Sequence, residues 1–337
     1  TFKMISATAE MQTGVLSPDY TIDDTGSFRV PGCKSNPRGC VFHDDETTGN
    51  GDVDLSSALT KSSDYYFYNL GYLFWAEQAK YGQTPIQNVA HEYGLDQYTN
   101  VDLPDEVEGI VDSPAERRKL HAEAPKAFPY VSWYTGDNIE MAFGQGTTAL
   151  TPLALANAYA TFANGGTRYA PEVAAAIVNA HGQTIIRYGP RVLGHVSLPP
   201  RVRNPILEGL EGVVMSPEGT AYLPFKDNID FSLSTFPIAG KTGTATNGGQ
   251  KGIEPNSWFV GFGPTTHPEY VVLCVIAEGG YGADAAAPVV ARTFNYLVAH
   301  PIRPLRLKHI LTTPTTTTTK PNSSTTTTSP TTTTTIK

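Results

Sequence analysis

Two lysines and a set of hydroxyl and carboxyl side chains are the residues of this chain best suited to chemistry. Lys3 stands near the start, Ser62 and Asp64 flank a second serine, and a Lys-Thr-Gly-Thr string occupies 241–244. An amine that reaches a hydroxyl can remove its proton, and a lysine beside backbone donors can hold a carboxylate. Each string alone is weak evidence, because tripeptides recur by chance and an isolated lysine such as Lys241 is usually solvated in a turn.

The residues around 241–244 predict a strand in a small sheet. Residues 236–240 are apolar and end in a glycine, as expected where a strand approaches a ligand closely. A turn-rich loop follows, and further strands are predicted at 257–262 and 270–277. Three neighbouring strands with short connections predict an antiparallel meander. Lys241 would then lie beside a sheet face, where backbone N–H groups can also bind an anion.

Helices must position the remaining groups. We predict a first helix from Thr1 to about Gly14, with Lys3 in its first turn. A short helix is predicted from Leu55 to Lys61, and Ser62 to Asp64 should connect it to the next helix, for which Asp64 is a plausible N-cap.

The pattern beyond residue 64 predicts three more features. Phe67, Leu70 and Phe74 form the apolar stripe of the helix that follows Asp64. A hydroxyl and a proline at 151–152 begin another helix, which Asn-Gly-Gly ends at 164–166, and a last helix from about 286 to 298 should cover the sheet. Residues 18–54 are rich in Gly, Pro and Asp and are predicted to form loops.

Taken in order, the strings of this chain resemble the transpeptidase domain of penicillin-binding proteins, most closely the elongation-type class B enzymes known as penicillin-binding protein 2. The matching strings span almost all of residues 1–300 and are 1–4, 62–68, 144–146, 151–153, 158–166, 240–245 and 258–262. Asp64, where many relatives carry asparagine, favours the elongation branch. The resemblance implies an α+β fold in which an antiparallel sheet is flanked by helices and joined by an all-helical lobe, with the active site at their junction.

The nucleophile of this family is the serine of a Ser-x-x-Lys motif. The chain opens Thr1-Phe2-Lys3, which matches that motif after its serine, and no lysine of the chain has a serine three positions before it. We therefore expect the nucleophile to be the residue that precedes Thr1, and we expect the chain as given to be inactive.

The resemblance also implies roles for the other site residues, and it implies no cofactor. Lys3 would be the base, Ser62 would pass a proton to the leaving amine, and Lys241 would complete the catalytic group. Lys3 can be neutral near physiological pH only if it is buried near another cation, and Lys241 is the expected neighbour. The predicted substrate-binding residues are Asp64, Thr242, Gly243 and Thr244. Asp64 can alternatively serve only as a helix cap.

The implied activity is that of a D,D-transpeptidase that cross-links peptidoglycan stem peptides ending in D-Ala-D-Ala and that is acylated by β-lactams. Two alternatives remain open: a β-lactamase, although no convincing Glu-containing loop of the class A type precedes residue 241, and a non-enzymatic penicillin sensor or scaffold. Membrane proteins of the elongation machinery are further implied partners. The implied location is the extracytoplasmic face of the cell membrane, with an anchor upstream of this chain.

Composition agrees with these implications. The 337 residues carry a net charge of -8, which offers no basic footprint for nucleic acid. No apolar run approaches the roughly 20 residues that span a bilayer. We expect one domain over 1–311, followed by a disordered Thr/Pro-rich tail over 312–337 that lacks the apolar residues needed for a core.

Two cysteines lie close together in the loop-rich region. Cys33 and Cys40 are predicted to form a disulfide, the default in an exported protein. The alternative is a zinc site that would add His43 and one of Asp44 or Asp45 to the two sulfurs.

A zinc site of this kind is found in some elongation-type relatives, which the chain resembles here. Their cysteine ligand stands where this chain has Leu59, three residues before Ser62, so we predict no metal site. Cys274 lies in an apolar strand and is predicted to be a buried, inert thiol.

Overall fold

The computed structural model describes residues 1–34, 37–45, 47–246, 252–303 and 308–310. The helices are α1 (Lys3–Thr13), α2 (Pro37–Cys40), α3 (Leu55–Lys61), α4 (Asp64–Ala76), α5 (Gln78–Tyr81), α6 (Pro85–Glu92), α7 (Pro114–Glu123), α8 (Thr135–Phe143), α9 (Pro152–Ala163), α10 (Pro200–Met215), α11 (Tyr222–Lys226) and α12 (Ala286–Ala299). The strands are β1 (Ile22–Asp24), β2 (Ser27–Arg29), β3 (Val41–His43), β4 (Gly51–Val53), β5 (Thr167–Tyr169), β6 (Ala176–Val178), β7 (Gln183–Arg187), β8 (Val192–His195), β9 (Ala239–Ala245), β10 (Asn256–Gly263), β11 (Tyr270–Ile276) and β12 (Lys308–Ile310).

The chain divides into two compact units. Of the described residues, those within 1–174 and 189–303 form the first, and those within 175–188 and 308–310 form the second. In the second unit, β6 is antiparallel to β7 and β12 is parallel to it. The predicted Thr/Pro-rich tail over 312–337 lies outside the described residues.

The main sheet of the first unit has the strand order β11-β10-β9, and both pairings are antiparallel. This is the predicted meander. Helix α12 packs on the sheet through a buried face that includes Val290 and Phe294. Phe259 of β10 belongs to the same apolar cluster, so burial of these side chains fixes the sheet against the helix.

Helix α1 is the central element of the helical part. Its residues from Lys3 to Glu10 are all buried, and α3, α4, α6, α8 and α10 pack around it. A helix that is covered on every side belongs to an interior, and Ala7 and Ala9 let the surrounding helices approach closely. Gly14 ends the helix in the left-handed conformation with φ 66°, close to the predicted end of the helix.

The turn between α3 and α4 carries the Ser-Ser-Asp string. Helix α3 matches its predicted bounds, and Ser62 closes it in the left-handed region with φ 61°. Ser63, rather than Asp64, caps α4: its Oγ accepts a hydrogen bond from the backbone N–H of Tyr66. Asp64 is the first residue of the helix, so its predicted capping role was wrong.

The remaining predicted elements are present. Phe67, Leu70 and Phe74 are buried on α4, and Thr151 caps α9 ahead of Pro152. Among its described residues, the loop-rich region 18–54 contains short elements, β1 to β4 and α2. The predicted α+β fold, with an antiparallel sheet and a helical lobe, is confirmed. Within the described part of the chain, none of the helices has the length and apolar character needed to cross a bilayer.

Candidate functional site

The Lys3 amine lies at the centre of one group of predicted site residues. Its Nζ is 2.6 Å from Asp64 Oδ1, and it donates to Ser62 Oγ at 3.1 Å and to the Ser62 carbonyl oxygen at 2.5 Å. The Phe67 ring lies beneath the amine, with its centroid 5.4 Å from Nζ. The structure therefore brings Lys3, Ser62 and Asp64 into direct contact, with the amine facing the serine hydroxyl.

Lys241 forms a second group with the β9 hydroxyls. It is fully buried, and its Nζ donates to Thr242 Oγ1 at 3.3 Å. Burial, and next the positive charge of Lys3, hold the pKa of Lys241 well below its usual value of 10.5, against the opposing effect of Asp64. Burial in β9 excludes the solvated turn lysine that the tripeptide alone would suggest.

Thr220 is a site neighbour that the sequence analysis missed. It lies in the turn after α10, and its Oγ1 is 2.9 Å from Thr242 Oγ1. Its backbone N–H donates to the Thr60 carbonyl oxygen of α3, which fixes the turn against the helix that leads to Ser62. The hydroxyls of Thr220 and Thr242 and the amine of Lys241 thus lie in one cluster.

Thr1 connects the two groups. Its nitrogen donates to the Thr242 carbonyl oxygen at 3.0 Å, and its own carbonyl oxygen accepts from the buried hydroxyl of Tyr159 at 2.8 Å. Gly243 faces Thr1 so closely that a Cβ at that position would lie 3.0 Å from the Thr1 nitrogen. Glycine is therefore the residue that lets β9 approach the first turn of α1.

A cleft of about 300 Å³ opens beside Thr1 and the second half of β9. Thr244 and Gln145 line it on the polar side, and Gln145 Nε2 donates to the Thr244 carbonyl oxygen at 3.2 Å. The side chains of Trp258 and Phe143 form an apolar part of the wall of this cleft. A ligand chain placed along β9 can therefore extend into a partly apolar space next to the start of α1.

Two acidic residues of the loop-rich region hold the Ser62–Asp64 turn, and the sequence analysis gave neither of them this role. Asp24 Oδ2 accepts from Ser63 Oγ at 2.7 Å, and Asp44 Oδ2 accepts from the backbone N–H of Asp64 at 2.8 Å. Burial, and next the charge of Asp64, raise the pKa of Asp44 to about 6. The one available signal was the number of Asp residues between 18 and 54, which does not identify their partners.

The loop cysteines form the predicted disulfide. Cys33 and Cys40 are bonded, with their Cα atoms 5.7 Å apart, so neither sulfur is available for the zinc alternative. The described residues include no group of three or more His, Cys, Asp or Glu side chains suited to a metal ion. Cys274 is only half-buried, so the prediction of a buried thiol was wrong: β11 is an outer strand of its sheet.

Comparison with known proteins gives consistent matches. The family model described as the penicillin binding protein transpeptidase domain matches residues 1–295. The chain is 28% identical over 310 residues to the peptidoglycan D,D-transpeptidase MrdA of Haemophilus influenzae, which covers 88% of this chain and 43% of that protein. The MrdA of Acinetobacter baumannii is 28% identical over 320 residues, or 90% of this chain and 43% of the relative.

A solved structure agrees with these sequence matches. The crystal structure of Pseudomonas aeruginosa PBP2 in complex with WCK 5153 is similar with a TM-score of 0.70 and 27% identity, over 88% of this chain and 59% of that one. The chain spans less than half the length of the curated relatives that it matches. The resemblance inferred from the sequence is confirmed.

Proposed function

Because the chain belongs to the penicillin-binding protein transpeptidase family, we propose that it is the catalytic domain of an elongation-type peptidoglycan D,D-transpeptidase. Its substrates would be stem peptides ending in D-Ala-D-Ala, and β-lactams would acylate it as substrate analogues. The observation that carries the proposal is the contact of Lys3 with Ser62 and Asp64, next to the Thr1 end of α1 and the Lys241 strand.

The proposed nucleophile is the serine that would precede Thr1 in the complete protein. Lys3 follows that position by one helical turn and would accept the serine proton as the hydroxyl attacks the carbonyl carbon of the penultimate D-Ala. The backbone N–H groups of the serine and of Thr244 would stabilise the oxyanion. Ser62, within hydrogen-bond distance of Lys3, would pass a proton to the departing D-Ala amine as the peptide bond breaks.

The terminal carboxylate of the substrate would bind at the second group. Thr242 and Thr244 supply hydroxyls on β9, and Lys241 supplies the amine. Burial, and next the charge of Lys3, lower the pKa of Lys241, and an arriving carboxylate would favour the charged form of the amine.

In the second half of the reaction, an amine of another stem peptide would attack the acyl-enzyme and form the cross-link. We further propose that the complete protein works at the extracytoplasmic face of the cell membrane with an anchor upstream of Thr1. Membrane proteins of the elongation machinery are its proposed partners, and nucleic acid is not among them. These assignments rest on the family and on the similarity to MrdA and PBP2.

The test is covalent labelling of the full-length protein with a fluorescent penicillin. We expect a stable adduct on the serine before Thr1, loss of labelling in Lys3→Ala, and normal labelling in Lys61→Ala, a neighbouring lysine that pairs with Glu218 instead. A polypeptide that begins at Thr1 should not label. Rapid hydrolysis of the adduct would indicate a β-lactamase. Absence of an adduct on the full-length protein would favour the non-enzymatic sensor or scaffold.

A further inference from the structure

The backbone at Ser62 adopts a conformation that needs support from its surroundings. Ser62 has φ 61°, in the left-handed region, which is unfavourable for a residue with a Cβ. The turn comprises only Ser62 and Ser63 between two helices. The position of the Ser62 hydroxyl therefore depends on what holds this turn.

Asp24 holds Ser63, the second residue of the turn, through its carboxylate. Its Oδ2 accepts from Ser63 Oγ and from Asn50 Nδ2, each at 2.7 Å, and its Oδ1 accepts from the Gly26 N–H at 2.8 Å. The Asp24 side chain is buried at the end of β1, so these hydrogen bonds form away from solvent. The Ser63 hydroxyl that donates to Asp24 also caps α4 through Tyr66.

Asp44 holds the far end of the turn. Its Oδ2 accepts from two successive backbone N–H groups at the start of α4, those of Asp64 at 2.8 Å and Tyr65 at 3.2 Å. These groups have no partner within their own helix, and a carboxylate there also interacts favourably with the helix dipole. Asp44 thereby fixes the backbone that aims the Asp64 carboxylate at Lys3.

The residues present do not fit the zinc site that the resemblance suggests for this region. The position of the relatives' cysteine is taken by Leu59, a fully buried apolar side chain. The sulfurs of Cys33 and Cys40 are bonded to each other, and His43 Nδ1 lies 2.9 Å from Ser27 Oγ. Hydrogen-bond donors face both carboxylate oxygens of Asp24 and Oδ2 of Asp44.

We propose that Asp24 and Asp44 are positioning residues, which hold Ser62 and Asp64 in their catalytic arrangement through hydrogen bonds and without a bound metal. The inference rests on the proposed function, because it assigns to these two carboxylates the task of orienting groups used in acyl transfer. The two carboxylates link β1 and the loop after β3 to the turn between α3 and α4.

The first experiment compares Asp24→Asn with Asp23→Asn in the full-length protein. The nitrogen of a side-chain amide cannot accept, so the introduced amide leaves either the Gly26 N–H or both Ser63 Oγ and Asn50 Nδ2 without their acceptor. We expect the acylation rate constant for penicillin to fall about tenfold while the dissociation constant of the initial complex stays unchanged. Asp23 is exposed on the other face of the same strand, and its variant should match the wild type.

A double-mutant cycle separates positioning from loss of structure. Ser63→Ala removes the partner of Asp24, so the combined variant should lose little more rate than Ser63→Ala alone. Equal rates for Asp24→Asn, Asp23→Asn and the wild type would overturn the proposal. Additive losses in the double variant would do so as well, because they would mean that Asp24 does not act through Ser63.

The second experiment needs no activity and therefore remains informative if the proposed function fails. Asp44→Ala should speed amide hydrogen exchange at Asp64 and Tyr65 by at least about tenfold, with exchange in α12 unchanged. Treatment of the wild type with EDTA should change neither these exchange rates nor labelling. Unchanged exchange in the variant, or stoichiometric zinc whose removal mimics it, would refute positioning by hydrogen bonds alone.

Discussion

The strand that carries Lys241 and the turn that carries Ser62 are built in different ways. Strand β9 is held by the hydrogen-bond ladder to β10, with Lys241 opposite Val260 in the antiparallel register. The turn has no ladder: the backbone N–H groups of Ser62 and Ser63 donate to carbonyl oxygens of α3, and the carboxylates of Asp24 and Asp44, from distant parts of the chain, supply the remaining support. One half of the site is thus supported by strand pairing, and the other by a helix C-cap together with individual carboxylates.

This difference determines how each half responds to mutation. A side chain changed on β9 leaves the strand in place, so the effect reports the direct role of that side chain. Asp24 or Asp44 can be replaced without changing a group that contacts substrate. The effect of such a replacement then reports the geometry of the turn. We expect direct contacts on β9 to cost more than any single support of the turn, because the remaining hydrogen bonds still restrain the serine.

Between the strand and the turn, the largest expected effect is at Lys241. In the full-length protein, Lys241→Ala should lower the rate of penicillin acylation by at least about a hundredfold, as expected for the loss of one preorganised electrostatic contact. Thr244→Ala should cost less, because its backbone N–H remains in place. Both rates can be measured by time-resolved labelling with a fluorescent penicillin. Normal acylation of Lys241→Ala would show that the buried amine is structural.

The same contrast explains how far the sequence predicts the structure. The meander around Lys241 and the helix that begins near Lys3 follow from local patterns of apolar residues, glycines and turns, and both are present. The burial of Lys241 follows from its position within the predicted strand. The contact of Ser62 with Lys3 is implied only by the family resemblance, because the two positions are 59 residues apart and no local pattern encodes their contact.

The supports of the turn could not be predicted in the same way. Asp24 and Ser63 are 39 positions apart, and any of several Asp residues in the loop-rich region could have been the partner. Ser63 and Asp64 are adjacent and both are good N-cap residues, so the local sequence does not decide between them. In the structure the Asp64 carboxylate pairs with Lys3, and Ser63 caps the helix instead.

A second prediction concerns the end of α1 that lies away from the site. Glu10 is buried and accepts from the Tyr66 hydroxyl at 2.6 Å, and burial raises its pKa to about 8. Between the unfolded-state pKa of about 4.5 and this value, folding requires the carboxyl to take up a proton. Stability should therefore fall as pH rises through this range, by about 2 kcal/mol between pH 5 and pH 7.

Glu10→Gln should remove this loss, because the amide does not ionise and its oxygen can still accept from Tyr66. Urea unfolding at the two pH values measures the difference between variant and wild type, which should be near zero at the lower pH and favour the variant at the higher. Acylation should be nearly unaffected, since Glu10 lies about two helical turns from Lys3. An unchanged pH dependence of stability would mean that Glu10 is ionised in the folded protein.

The smallest expected effect concerns Thr1, which stands between the two halves of the site. Tyr159 donates its buried hydroxyl to the Thr1 carbonyl oxygen, and Tyr93, also buried, has its hydroxyl 3.3 Å from Thr8 Oγ1 on the same helix. Each Tyr→Phe change removes one hydrogen bond and should cost roughly 1 kcal/mol of stability. Only Tyr159→Phe frees the peptide unit next to the proposed nucleophile, so only it should slow acylation, by about fivefold. Equal acylation rates in the two variants, with equal losses of stability, would show that the first turn of α1 is held by β9 alone and that Tyr159 serves only packing.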